Sequence, residues 1–507
     1  MFGDALKLFF SGDVLLSLMV GVLAGMLVGA LPGLSASMAV ALLIPVTFQM
    51  TPAAGLVLLV SVYTSAIYGG SVTACLIHTP GTPASAATAL DGFPMTQRGE
   101  GLKAIGMATI ASMIGGTISA FALLLIAPQL SKLSLIMSSL EYFFLALFGL
   151  TVIGSLAGDS MVKGLISGVL GLLIGCIGLD PMNGSPRYTF GVIALESGIQ
   201  LVPAMIGLFS ISQVMMSVED MVKGKRAILD NPDALLKGSP LPTWKQMRSV
   251  LPTIGISSIF GVLIGIMPGA GADIGSWVAY NSAKKRSKHP ETFGKGNIEG
   301  IAASESANNA VTGGAIIPLI TLGIPGSSVT AIMLGGMMIK GLIPGHELFT
   351  KQGDITYCIL LGFLVANILM GVFGLLIARQ VVKISTVPMT ILCPIIVALS
   401  TIGAYAIQGS MVDVYVMLVF GVIGYFARKL GFATAPIVLG MILGPMAEQN
   451  WRQAMMFSRG NMLNYFLGRP VSIVLAVLVI VGLFSPILMK MFNKKATGQN
   501  NLQAADD

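Results

Sequence analysis

The stretch that decides the fold runs from Met267 to Gly345: MPGAGADIGSWVAYNSAKKRSKHPETFGKGNIEGIAASESANNAVTGGAIIPLITLGIPGSSVTAIMLGGMMIKGLIPG. Three Pro-Gly pairs (Pro268-Gly269, Pro325-Gly326, Pro344-Gly345) interrupt apolar segments, and the polar run Ser304-Glu305-Ser306-Ala307-Asn308-Asn309 lies between the first two. In a bilayer, irregular backbone survives only where it lines a cavity or is buried in protein. The pattern therefore predicts broken helices around a binding site at membrane depth.

Composition agrees with that reading. Of 507 residues, 54% are hydrophobic and 10% charged, and the mean hydropathy is +0.86. Soluble domains carry about 25% charged residues, so the chain is expected to be an all-α polytopic membrane protein. Spans of roughly 20 residues predict about 12 transmembrane segments in two related halves, with broken helices and re-entrant hairpins. The 62 glycines exceed the usual ~7% and permit close helix packing. The net charge of +7 gathers in loops 218–248 and 284–295, so it reports orientation and not nucleic-acid binding. Four cysteines in or beside apolar segments exclude a disulfide framework, and three scattered histidines offer no metal site. The N-terminal apolar run is long and flows into a second one, so it reads as a retained first span and not a cleaved signal.

Apolar segments fall near 14–31, 34–48, 53–77, 104–127, 139–157, 162–179 and 197–217, then near 249–267, 299–322, 327–343, 355–378, 389–407, 411–427, 433–446 and 471–489. These divide the chain into an N-terminal membrane half (1–217), a basic cytoplasmic linker (218–248), a C-terminal membrane half (249–492) and a polar, disordered tail (493–507). Two basic loops on one side of the membrane require the chain between them to cross an even number of times or to enter and return. With Pro268-Gly269 at the tip and only 270–283 coming back, a re-entrant hairpin fits at least as well as two full spans.

The halves match one another. Gly25-x-x-x-Gly29-x-x-Pro32-Gly33 aligns with Gly261-x-x-x-Gly265-x-x-Pro268-Gly269, 236 positions on. Ser61–Gly70 aligns with Glu305–Gly314, 244 positions on, and one more inserted residue brings Pro80-Gly81 onto Pro325-Gly326. Interrupted segments at corresponding positions of two halves point to a transporter's substrate site.

A helix beginning at membrane depth presents unpaired N–H groups and the positive end of its dipole, which attract an anion without a lysine. The substrate-binding candidates are therefore Pro32, Gly33, Ser35, Pro80, Gly81, Thr82, Gly269, Pro325, Gly326, Ser327 and Ser328 at the breaks. Asn308 and Asn309 join them with their aligned counterparts Thr64 and Ser65. Simple capping, with no ligand, explains the hydroxyls at the breaks (Thr82, Ser85, Ser327, Ser328, Thr330) equally well. Glu305 is the sharpest residue, since an ionisable group in an apolar segment is costly. It would repel a carboxylate, so a coupling-ion role as Na⁺ ligand or proton carrier suits it; the competing reading is a buried carboxyl satisfied by Ser304, Asn308 or a helix start. Asp273 and Asn308 complete the cation-coupling candidates, with capping as the alternative for Asp273. Lys340 is expected to snorkel. Gly269–Gly275 lacks the G-x-G-x-x-G spacing, and no Walker A, H-E-x-x-H or nucleophile–base grouping occurs. No catalytic residue, metal or cofactor is expected beyond a coupling Na⁺ or H⁺.

The runs Gly29-Ala30-Leu31-Pro32-Gly33-Leu34, Tyr68-Gly69-Gly70-Ser71, Thr79-Pro80-Gly81-Thr82-Pro83, Met267–Asp273 and Gly323-Ile324-Pro325-Gly326-Ser327 resemble the large membrane subunit of the tripartite tricarboxylate transporters, the TctA family. The likeness covers nearly the whole chain. It implies a multi-pass permease of the bacterial inner membrane that takes up citrate or other di- and tricarboxylates. It further implies a small membrane subunit and a periplasmic solute-binding protein as partners, and a cation gradient as the energy source. An anion channel, or an ion-coupled transporter of another substrate class, is the alternative.

Overall fold

Apolar runs fold as helices until a Pro-Gly pair or a polar turn stops them. The structure, a computed structural model, describes residues 2–31, 34–78, 82–151, 160–180, 184–223, 239–267, 271–380 and 389–481. Pro32, Gly33, Pro80, Gly81 and Gly269, most of the 218–248 linker (224–238) and the tail 493–507 lie outside these residues.

The first half comprises α1 (Phe2–Phe9), α2 (Gly12–Gly29), α3 (Ala36–Thr47), α4 (Pro52–Ile77), α5 (Ala86–Gln97), α6 (Gly101–Ser131), α7 (Ser139–Thr151), α8 (Met161–Gly175) and α9 (Leu201–Val222). The second comprises α10 (Trp244–Ile266), α11 (Gly271–Arg286), α12 (Ile298–Leu322), α13 (Ser328–Ile339), α14 (His346–Thr350), α15 (Gly353–Leu376), α16 (Met389–Gln408), α17 (Met411–Lys429), α18 (Ala435–Phe457), α19 (Met462–Leu467) and α20 (Pro470–Val481). Among the described residues eight helices are long and apolar enough to cross a bilayer, with five shorter apolar ones beside them. The expected all-α polytopic membrane protein is what the chain forms. Its described strands, β1 (Gly178–Leu179) and β2 (Pro186–Arg187), make one short antiparallel pair.

The helices group into two compact units. The smaller, Ile136–Ile199 with Ala427–Asp507, packs α8 on α18 along a glycine seam: an added Cβ on Gly440 would lie 2.7 Å from the Leu172 nitrogen. Charged pairs tie its ends, Arg187 to Glu448 at 2.7 Å and Arg469 to Glu141 at 2.6 Å.

The larger unit, Met1–Leu135 with Gln200–Phe426, draws on both halves and holds the candidate site. In it α2 lies parallel to α4, because Gly25 lets the backbones touch. A Cβ there would meet Val62 O at 2.6 Å and Ser65 Cβ at 2.9 Å. Helix α10 lies on α12 in the same way, Gly261 facing Ala307 O at 2.6 Å and Ala310 Cβ at 2.8 Å. Glycine is required at both places, since any side chain would force the helices apart. These contacts match residue 62 to 307 and 65 to 310, a separation of 245 where the alignment of glycine letters gave 244. Helices α4 and α12 cross antiparallel: Thr64 meets Asn309 while Ser71 meets Glu305. Thr64 and Asn309 are equivalent under the corrected register, so two like positions bond to each other, as they do at a two-fold axis. The repeats are therefore inverted.

Helix α3 runs back alongside α4, with Thr47 beside Gly55 and Ser37 level with the Ser327–Tyr63 contact. Helix α11 runs back along α12, from Gly275 beside Val311 to Tyr280 beside Gly300. In both halves the chain thus turns back between two parallel long helices. At 12 residues each, α3 and α13 are about 18 Å long, little more than half of a ~30 Å hydrocarbon core. The stretch 86–97, absent from the apolar segments above, is a 12-residue helix, α5; its Gly92 and Pro94 hid the pattern.

Candidate functional site

Each half-membrane helix starts with a hydroxyl. Ser35 caps α3 by accepting from Met38 N at 3.2 Å. Ser327 caps α13 by accepting from Thr330 N at 3.2 Å, while Ser327 N donates to Thr330 Oγ1 at 2.8 Å. These bonds serve the third amide of each helix and leave the first two without an intrahelical carbonyl. The starts of α3 and α13 then meet across the halves, Ser37 Oγ lying 2.8 Å from Ser328 Oγ, with the Tyr63 hydroxyl 3.4 Å from Ser327 Oγ. Each helix start carries about half an elementary charge, so the pair presents roughly one positive unit with four hydroxyls and no basic side chain. Ser35 and Ser328 are partly accessible, whereas Ser37 and Ser327 are buried.

The other two returns pair in the same crosswise fashion. The start of α11, where Asp273 occupies the first turn, packs beside the turn Pro83–Ser85 that leads into α5. There Thr82 and Ser85 bond one another, the Ser85 hydroxyl donating to Thr82 O at 2.8 Å, which is a local cap. Beside the first turn of α5 sits Glu305, fully buried. Its Oε1 accepts from Ser71 Oγ at 2.7 Å and from Thr88 Oγ1; its Oε2 accepts from Ser112 Oγ at 2.8 Å. Ser304 bonds Thr88 at 2.8 Å and not Glu305. No basic side chain pairs with Glu305 among the described residues, so a lone carboxyl is held in a shell of hydroxyls.

Between the two places lie Thr64, Asn308 and Asn309. Thr64 Oγ1 donates to Asn367 Oδ1 at 2.7 Å and accepts from Asn309 Nδ2 at 3.1 Å. Asn308, one turn along from Glu305, turns its side-chain amide to that carboxyl, while its Oδ1 and the Oδ1 of Asn309 are buried without a donor. Ser65 faces Gly25 in the α2–α4 contact with its hydroxyl unpaired, and so belongs to helix packing. From Tyr63 to Ser71 is eight residues of α4, about 12 Å along its axis. The seryl pair and the glutamate are therefore separate places joined by an asparagine-lined stretch.

Lys340, expected to snorkel, instead donates to Phe48 O at 3.1 Å and Met50 O at 2.8 Å, neutralising the carbonyl end of α3. Ser71, Thr88, Ser112, Tyr63 and Asn367 were not singled out from sequence as site residues. A hydroxyl in an apolar span is common, and only the fold shows that three converge on one carboxyl.

The model of the tripartite tricarboxylate transporter TctA family matches residues 15–439. The chain is 36% identical over 464 residues to an uncharacterized 52.8 kDa protein in the TAR-I ttuC' 3' region of Agrobacterium vitis, covering 92% of this chain and 90% of that one. It is 37% identical over 235 residues to an uncharacterized protein in the TAR-II ttuC' 3' region of the same organism, covering 46% of this chain and 97% of that one. No solved structure matches. The family model spans most of the chain and the first relative matches nearly end to end: this chain belongs to the tripartite tricarboxylate transporter TctA family.

Proposed function

We propose that the protein is the permease subunit of a binding-protein-dependent secondary transporter in the bacterial inner membrane. It takes up an organic carboxylate, citrate or another di- or tricarboxylate, and uses a cation gradient, Na⁺ or H⁺. A periplasmic solute-binding protein delivers the substrate and a small membrane subunit completes the assembly. The carrying observation is the chemical difference between the two crosswise pairs of helix starts. The Ser35–Ser37–Ser327–Ser328 pair offers amides, hydroxyls and a positive dipole, which suit a carboxylate. Beside the start of α5 in the other pair lies Glu305 of α12, which suits a cation or a proton and would repel the substrate. Asn308 and Asn309, with unspent amide oxygens between the two, link the two occupants in this reading.

The test is uptake of a carboxylate panel into proteoliposomes carrying this chain and its small membrane partner, with the binding protein supplied outside, under imposed Na⁺ or proton gradients. Accumulation above equilibrium that follows one gradient supports the proposal. Passive equilibration indifferent to both gradients would mark an anion channel.

A further inference from the structure

At the end of the larger unit that carries the basic loops, cytoplasmic by the positive-inside rule, lies an open basin of about 1190 Å³. It is bounded by the start of α10, the turn 287–297 and the junction of α5 with α6. Five cationic side chains reach it: Arg98, Lys103, Arg286, Lys288 and Lys295. Two are spent, Lys103 on Glu100 at 3.2 Å and Arg98 on Gly296 O at 2.7 Å. Three acids, Glu100, Glu291 and Glu299, line it too, so five bases leave a net excess of two positive charges. Glu299 accepts from Thr253 at 2.8 Å and Ser287 at 2.7 Å, and Glu291 lies 3.5 Å from His289. Arg286 bonds only its own helix, Nε to Ser282 O at 3.2 Å. Arg286, Lys288 and Lys295 thus lack an acidic partner among the described residues.

The backbone beside Lys295 is held in place. Asp91, fully buried in α5, accepts from Gly294 N at 2.9 Å and from Gly296 N and Asn297 N at 2.8 Å each. The part of the turn that bears Lys295 is therefore fixed to the body of the protein. The wall opposite is α10 from Gln246 to Ile256, about 15 Å along the axis. That wall starts just after Trp244, 77% exposed, a residue type that sits at the headgroup level. It continues past Ile256 into Ile259 and Leu263, which are 57% and 56% exposed on the same helix face. A soluble anion would use the cationic mouth and leave this apolar strip bare; an amphiphile uses both.

We propose that the basin seats an anionic phospholipid of the cytoplasmic leaflet. Its phosphodiester meets Arg286, Lys288 and Lys295, and its acyl chains lie along Ile256, Ile259 and Leu263. Basic clusters at helix junctions on this side of a membrane recognise such headgroups, each side chain being worth roughly fivefold in affinity.

The test uses the purified full chain in phosphatidylcholine nanodiscs doped with phosphatidylglycerol, with retained lipids counted by native mass spectrometry. The variant R286Q/K288Q/K295Q is expected to lose the preference for phosphatidylglycerol by at least tenfold at unchanged melting temperature. I259S/L263S is expected to weaken retention also, and K284Q/K285Q, which removes charge outside the basin, to behave as the unaltered chain. Glycerol phosphate at millimolar concentration should not displace the lipid. Undiminished preference in the triple variant overturns the proposal. So does an equal loss in K284Q/K285Q, which would reflect bulk charge, or displacement by glycerol phosphate with I259S/L263S unaffected, which would mark a site for free anions.

Discussion

Two glycines of one helix should respond oppositely to the same substitution. In α10 a Cβ on Gly261 would lie 2.6 Å from Ala307 O and 2.8 Å from Ala310 Cβ, whereas a Cβ on Gly255 meets nothing within 4 Å. Carbon and oxygen do not approach closer than about 3.2 Å without repulsion, so Gly261→Ala must push α10 off α12 by several tenths of an ångström. Overpacking of this kind costs about 1–3 kcal/mol. Gly255→Ala has no such contact to lose, and replacing a helical glycine gains about 0.5–1 kcal/mol. The two variants should therefore differ by roughly 1.5–4 kcal/mol. Gly25→Ala, the counterpart of Gly261→Ala in the other half, should match the loss, because its Cβ meets Val62 O at the same 2.6 Å. Thermal unfolding in detergent orders the four proteins: Gly255→Ala above the parent, Gly25→Ala and Gly261→Ala together below it. Equal melting of Gly261→Ala and Gly255→Ala would refute the close parallel packing on which the inverted repeat rests.

Asp91→Ala removes the acceptor of three backbone amides and of the Tyr280 hydroxyl at 2.8 Å. Bonds to a charged acceptor contribute about 1.5–3 kcal/mol each, so trypsin should cut at Lys295 at least tenfold faster; an unchanged cleavage rate would contradict that anchoring role. Ser37→Ala with Ser328→Ala deletes the hydroxyl pair between α3 and α13 but leaves the Ser35 and Ser327 caps. Losing about 1–2 kcal/mol of hydrogen bonding should raise the KM for a carboxylate roughly 5–30-fold with little change in melting temperature. A wild-type KM would remove this pair from the substrate path.

Much of the architecture could be read from letters because a bilayer punishes irregular backbone. A Pro-Gly pair within an apolar run has few explanations there, and helices stop on either side of each predicted break. What letters could not give was partnership. Nothing in Ser37 or Ser328 says that the return of one half meets the break of the other, since that depends on antiparallel crossing of α4 and α12. The repeat register slipped by one because Gly69 and Gly70 match Gly313 and Gly314 by identity. Packing instead sets Gly69, against Met26 O at 2.7 Å, as the counterpart of Gly314, against Val262 O at 2.6 Å. Helix α5 escaped notice because its mean composition resembles a loop. The shell around Glu305 escaped for another reason: Ser71, Thr88 and Ser112 come from three successive helices about 200 residues before it, and each alone looks like filler.

The most direct measurement concerns Glu305→Gln, which keeps the shape of the side chain and two of its acceptor positions while removing the titratable charge. In proteoliposomes with the partner proteins, the variant should bind carboxylate within about threefold of the parent and still exchange it across the membrane. It should no longer accumulate substrate above equilibrium when a Na⁺ or proton gradient is imposed. Accumulation at the parent's level would show that coupling resides elsewhere and that the carboxyl in its hydroxyl shell is only a packed polar group.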